Sequence, residues 1–189
     1  FIFRTISAYF FRKKYEPELK CEKGYYFSFK QFLKAMPKNN FGKFVIYVSL
    51  MNLATAIASP FFAVYMLKNL NFSYTIYIIV VLGSSLANLL SMPIWGRFAD
   101  SYGNLKVVKI TGFLVPLVPF LWLASILIRD PKILIIYLIL IEAFSGFAWA
   151  GFNLSSSNFV YSAVTRQRMG LCVAYSDILY AIGVFIGAM

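Results

Sequence analysis

Apolar residues in this chain come in long unbroken runs separated by short polar stretches, rather than alternating with polar ones. Five runs, 44–67, 74–95, 107–128, 133–153 and 170–189, are long, continuous and rich in Leu, Ile, Val and Phe. A helix needs about 20 apolar residues to cross the hydrocarbon of a bilayer, and each run meets that length. Barrel strands would show roughly ten-residue segments of alternating polarity, which these are not. The pattern predicts an all-α membrane protein, a polytopic helical bundle with five transmembrane helices in 44–189.

Residues 1–43 follow a different pattern and form a separate region. Tyr9, Phe10, Phe11 and Tyr15 mix with Arg12, Lys13 and Lys14, and a Glu/Pro-containing stretch follows at 16–22. Phe29, Phe32, Leu33 and Met36 then recur at helical spacing with Lys30 and Lys34 opposite. That spacing predicts an amphipathic helix lying in the membrane interface. The plainer reading of 1–43 is an ordinary basic tail.

Composition excludes a soluble domain: at 189 residues, 60% hydrophobic and only 13% charged, the chain has too much apolar surface to bury inside a globule of its size. The net charge of +11 raises nucleic acid as a partner, and its distribution argues against one. Fifteen of the 18 bases lie in 1–43, in the loop after the second run or in the loop after the fourth, whereas Lys68, Arg129 and Lys132 alone lie on the other side. This asymmetry places 1–43, 96–106 and 160–169 in the cytosol, beside anionic lipid headgroups, in a multi-pass protein of the plasma or inner membrane. The chain opens on Phe without a charged leader and cleavage site, so no signal peptide is expected. It stops inside the run 178–189, which reads as a fragment at both ends.

Polar residues inside the spans carry the candidate chemistry. The first span holds Asn52 and the pair Ser59-Pro60, where a kink is expected. The second presents Ser84, Asn88 and Ser91 on one face. The third has Thr111 and Ser125 as its polar side chains and nothing ionisable after Lys109, so it reads as the most lipid-exposed. In the fourth, Glu142, Gly146, Trp149, Asn153 and Ser156 follow at steps of 4, 3, 4 and 3, which aligns them in one stripe. A carboxylate in hydrocarbon costs several kcal/mol and normally faces a bundle interior or a wet cavity. Asn52, Asn88, Glu142, Trp149, Asn153 and Asp177 are therefore the candidates for cavity lining or coupling. The competing reading makes Glu142 a structural hydrogen-bond hub and Ser145 and Gly146 a helix-packing surface, as Gly183 and Gly187 are in the fifth span.

Other chemistry lacks its residues. There is no histidine, and Cys21 and Cys172 are far apart without a carboxylate beside either, so neither a metal site nor a disulfide is expected. No Gly-x-x-x-x-Gly-Lys-Ser/Thr loop is present to cradle a nucleotide. Ser59, Ser85 and Ser156 have no nearby base. No cofactor and no enzymatic activity are expected.

The stretch between the second and third spans reads Gly96-Arg97-Phe98-Ala99-Asp100-Ser101-Tyr102-Gly103-Asn104-Leu105-Lys106. It resembles the signature loop between the second and third helices of a major facilitator superfamily half, roughly Gly-x-Leu-Ala-Asp-Arg-x-Gly-Arg-Arg/Lys. Gly96, Ala99, Asp100 and Gly103 match in register, and Phe98 replaces Leu. Ser101, Asn104 and Leu105 fill basic slots, and Lys106 falls one place late. The resemblance implies five helices of an incomplete six-helix half. With 1–43 as the later part of the central linker, these are helices seven to eleven of twelve; the N-terminal half is the alternative. It also implies that the first and fourth spans line a central cavity. Asp100 would latch onto the missing half of the same chain, and Arg97 and Lys106 would hold carboxylates or lipid phosphates. The Gly-Pro-x-x-Gly-Gly core of antiporter-type fifth helices is absent, and so is the fourth-helix arginine of many proton-coupled members. A coupling proton or ion stays open. The function implied is secondary or facilitative transport of a small solute by alternating access; the alternative is a non-transporting sensor or scaffold on the same fold, with a membrane-embedded enzyme behind both.

Overall fold

The computed structural model describes residues 25–189 together with Thr5, Tyr9 and Phe10. The run 11–15, the stretch 16–22 and Cys21 lie outside the described residues. Among the described residues there is no strand. Six α-helices follow one another: α1 (Phe29–Ala35), α2 (Asn40–Val64), α3 (Tyr74–Tyr102), α4 (Asn104–Ala124), α5 (Pro131–Ala163) and α6 (Arg166–Ala188). The last five are long and apolar enough to cross a membrane, so this is a multi-pass membrane protein. α2 runs unbroken through Pro60 and widens into a π-turn at Tyr65–Asn69.

Local sequence sets where the helices start. Ser28 and Gln31 form a reciprocal capping box on α1. Asn39 accepts from the Gly42 amide at the start of α2, and Ser73 from the Ile76 amide at the start of α3. Asp130 accepts from the Lys132 and Ile133 amides ahead of α5, with Pro131 in the first turn.

Three helix pairs make most of the packing: α3 on α5, α4 on α5, and α2 on α6. Glycine permits the first. A Cβ on Gly146 would collide with the Ser84 carbonyl oxygen, so the α3 and α5 backbones meet there. Two side chains of α3 tie the same point, Asn88 Nδ2 donating to Gly146 O at 3.4 Å and Trp95 Nε1 to Phe147 O at 2.8 Å. Gly183 plays the equivalent part on α6, where a Cβ would fall 2.7 Å from the Ser49 carbonyl oxygen of α2. α2 and α5 touch little, and the space between them holds two cavities.

Three expectations change. Helices α3 and α5 continue beyond 95 and 153 to Tyr102 and Ala163, because falling hydropathy marks the edge of the hydrocarbon and not the last backbone hydrogen bond. The stretch 96–106 is consequently almost all helix, and its turn is the single residue Gly103. Span α4 is also not the most lipid-exposed; more of it is buried than of α2, α3 or α6. Its inward face, Val107, Val108, Thr111, Val115, Val118 and Trp122, is as apolar as its lipid face, so hydropathy cannot tell the two apart.

α1 lies against the start of α6. Phe32 and Met36 are buried, while Lys30, Leu33 and Lys34 are exposed. Tyr175 receives the rings of Phe29 and Phe32 at 5.3 and 5.6 Å, and its hydroxyl donates to Phe27 O at 3.0 Å. Part of the apolar face that the spacing assigned to the membrane interface is thus covered by the protein itself.

Candidate functional site

The gap between α2 and α5 holds two cavities that share Asn52. The larger, about 770 Å³, is open on one side and lined by residues of all five membrane helices. Glu142, Ser145 and Trp149 line it from α5, and Asn52 and Thr55 from α2. Phe62, Tyr77 and Phe120 add aromatic surface. The smaller, about 370 Å³, is more polar, with Asn153 and Ser156 of α5 facing Ser176, Asp177 and Tyr180 of α6. Chain direction sets the order: the smaller cavity lies toward the end that carries Asn40, Gly103 and Arg166, and the larger toward the end that carries Asn69 and Arg129.

Glu142 is half-buried, and no basic side chain among the described residues lines its cavity. The side chains that address its carboxylate are Ser84 of α3 and Trp122 of α4. Trp122 is buried between Phe62, at 4.9 Å, and Tyr65, at 6.1 Å, and its Nε1 makes no hydrogen bond of good geometry among the described residues. Thr55 does not compete for the Glu142 carboxylate, since its hydroxyl donates to Met51 O at 2.9 Å within its own helix. Trp149 sits edge-on to Phe152 at 5.5 Å, which fixes one side of its ring and leaves the other to the cavity.

The stripe on α5 therefore divides. Glu142 and Trp149 line the larger cavity, Asn153 and Ser156 the smaller, and Gly146 faces α3. Asn88 lines neither cavity, being committed to Gly146 O. Asp177 is exposed at the rim of the smaller cavity. Trp122, Thr55 and Tyr77 escape sequence reading, because an indole, a threonine or a tyrosine within a span is unremarkable until its neighbours are known. The one usable signal is Trp122 itself, which brings a polar N–H into the last turn of a mostly apolar helix.

The residues of 96–106 are the second region that the sequence singles out. Gly103 has φ 86° and ψ 147°, a conformation that is essentially glycine's alone, and its amide donates to Ala99 O at 2.7 Å. Arg97 and Asp100 are exposed on the last turns of α3. Lys106 lies over the Tyr102 ring at 4.5 Å, so its charge is held at the turn by a cation–π contact. A Cβ added at Gly96 would meet nothing within 4 Å beyond its own stretch of helix.

Five membrane-crossing helices around a cavity, with Glu142 on its wall and a charged turn at one end, make this a polytopic helical membrane protein. The chain matches the Major Facilitator Superfamily model over residues 12–189 and belongs to that family, whose members transport small solutes across membranes. No curated protein and no solved structure matches it significantly.

Proposed function

We propose that this chain forms part of a carrier that moves a small solute by alternating access, with the solute held in the larger cavity between α2 and α5. The observation that carries this reading is Glu142: a half-buried carboxylate at membrane depth, in a cavity that no basic side chain among the described residues lines. A scaffold has no use for such a group, whereas a carrier needs a polar anchor at that depth. The two cavities, each lined in part by Asn52 and lying toward opposite ends of the helices, support a path between the two faces. Basic 1–43 and the Gly103 turn are read as cytosolic in a plasma or inner membrane, and a second helical bundle would close the open side of the cavity.

Proteoliposomes containing the full-length protein, assayed with a panel of radiolabelled sugars, organic cations and organic anions, test the proposal. Uptake of at least one class should exceed empty vesicles and fall at least tenfold in Glu142→Gln, the scale expected for losing a buried charge interaction. Unchanged uptake in that variant would remove Glu142 from the site. No uptake of any class would favour a sensor or scaffold.

A further inference from the structure

We propose that the larger cavity takes a lipophilic organic cation, with Glu142 as its counter-charge and aromatic side chains as its apolar wall. The inference deepens the carrier reading by naming the substrate class. Four kinds of solute can be weighed against the lining. An organic anion would meet Glu142 and no basic side chain among the described residues. A sugar needs a ring of free donors and acceptors, yet most of the wall is aliphatic or aromatic, and the Thr55 hydroxyl is already committed to its own helix. A bare inorganic cation needs several oxygen ligands converging on one point, and a roomy, mostly apolar cavity does not provide them.

An organic cation with an apolar body suits both the carboxylate and the mostly apolar wall that these five helices provide. Its charge meets a carboxylate in surroundings of low polarity, where attraction between opposite charges is strongest. Its body meets Trp149, Phe62, Tyr77 and Phe120, whose ring faces also attract cations. The volume of about 770 Å³ falls in the range of pockets that hold drug-sized molecules. The smaller cavity has a larger share of hydroxyl and amide groups, around Asp177, and about half the volume, and it is not part of the proposed site.

Tetraphenylphosphonium and tetraphenylborate have nearly the same shape and opposite charge, so comparing them isolates the role of Glu142. Binding of each to the purified full-length protein in neutral detergent is measured by equilibrium dialysis. The cation should bind saturably and at least about tenfold more tightly than the anion, and Glu142→Gln should abolish that preference. Trp149→Leu should weaken cation binding by roughly two- to tenfold while keeping the preference for the cation. Matching thermal melts show that both variants are folded; should Glu142→Gln fail to fold, Glu142→Asp replaces it and should keep the preference. Equal affinity for the two ions, or cation binding unchanged in folded Glu142→Gln, overturns the inference. The carrier reading fails separately: cation binding without translocation in proteoliposomes refutes transport and leaves the site standing, while translocation of another solute without cation binding refutes the site and leaves transport standing.

Discussion

At Gly146 the absence of a side chain decides how two helices meet. A methyl group there would strike the Ser84 carbonyl oxygen, which belongs to a helix backbone and cannot move aside without separating α3 from α5. Gly146→Ala should therefore destabilise the protein by about 1–3 kcal/mol, as overpacking a tight interface does, and lower its melting temperature in detergent. Gly96 supplies the control, being helical with nothing beyond its own stretch of helix within 4 Å of the added carbon. Gly96→Ala should be neutral or stabilise by up to about 1 kcal/mol, since alanine is the better helix former. Equal melting shifts in the two variants would refute the packing argument. The stripe containing Gly146 is legible in the sequence because period and polarity fix which residues share a helix face. Which neighbour each residue meets is not, since a four-residue step fits cavity and contact equally well. Glu142 and Gly146 are one turn apart and end in different surroundings for that reason.

Helices are the scale at which the sequence is most legible, and their ends are where it fails. All five spans are announced by unbroken apolar runs, because a backbone in hydrocarbon has to satisfy its hydrogen bonds within its own segment. Beyond the hydrocarbon the same helix can continue on polar residues, as α3 does through Arg97 and Asp100 and α5 does through Ser155 to Ala163. The placement of α1 is a second case: an amphipathic pattern states that one face will be covered, without stating whether lipid or protein covers it. Here Tyr175 does part of the covering, and its hydroxyl bond to Phe27 O can be removed singly. Tyr175→Phe should weaken the hold on α1 by about 1 kcal/mol, the net value of one such bond. Hydrogen exchange should then quicken severalfold across 25–36 and stay unchanged in α3 to α5. Uniform exchange in both proteins would mean that ring packing alone holds α1.

For the whole molecule, the uneven distribution of charge predicts an orientation that labelling can test. With Cys21 and Cys172 replaced, cysteines at Ser101 and Asn69, both exposed, should react with an impermeant maleimide from opposite sides of the membrane, Ser101 from the cytosol. Labelling of both from outside would reverse or refute the assignment. The cytosolic end then holds Asp100 on the last turn of α3, one turn before the Gly103 corner, with its carboxylate exposed. A carboxylate so placed suits the exposed amides of another helix start, where the dipole favours negative charge, and a second bundle docking there would be latched. A charge-assisted hydrogen bond is worth about 1.5–3 kcal/mol, which shifts a two-state equilibrium by roughly ten- to hundredfold. Asp100→Asn keeps the shape and removes the charge, and at an exposed position it should change stability by less than about 0.5 kcal/mol. Opening is read at Ser156, whose hydroxyl is buried on the wall of the smaller cavity, the one nearer this end. A cysteine at Ser156 in the full-length protein should label from the cytosol at least several times faster when Asp100→Asn is added, and transport should slow. An unchanged labelling rate would reduce the motif to a tight turn that only joins α3 to α4.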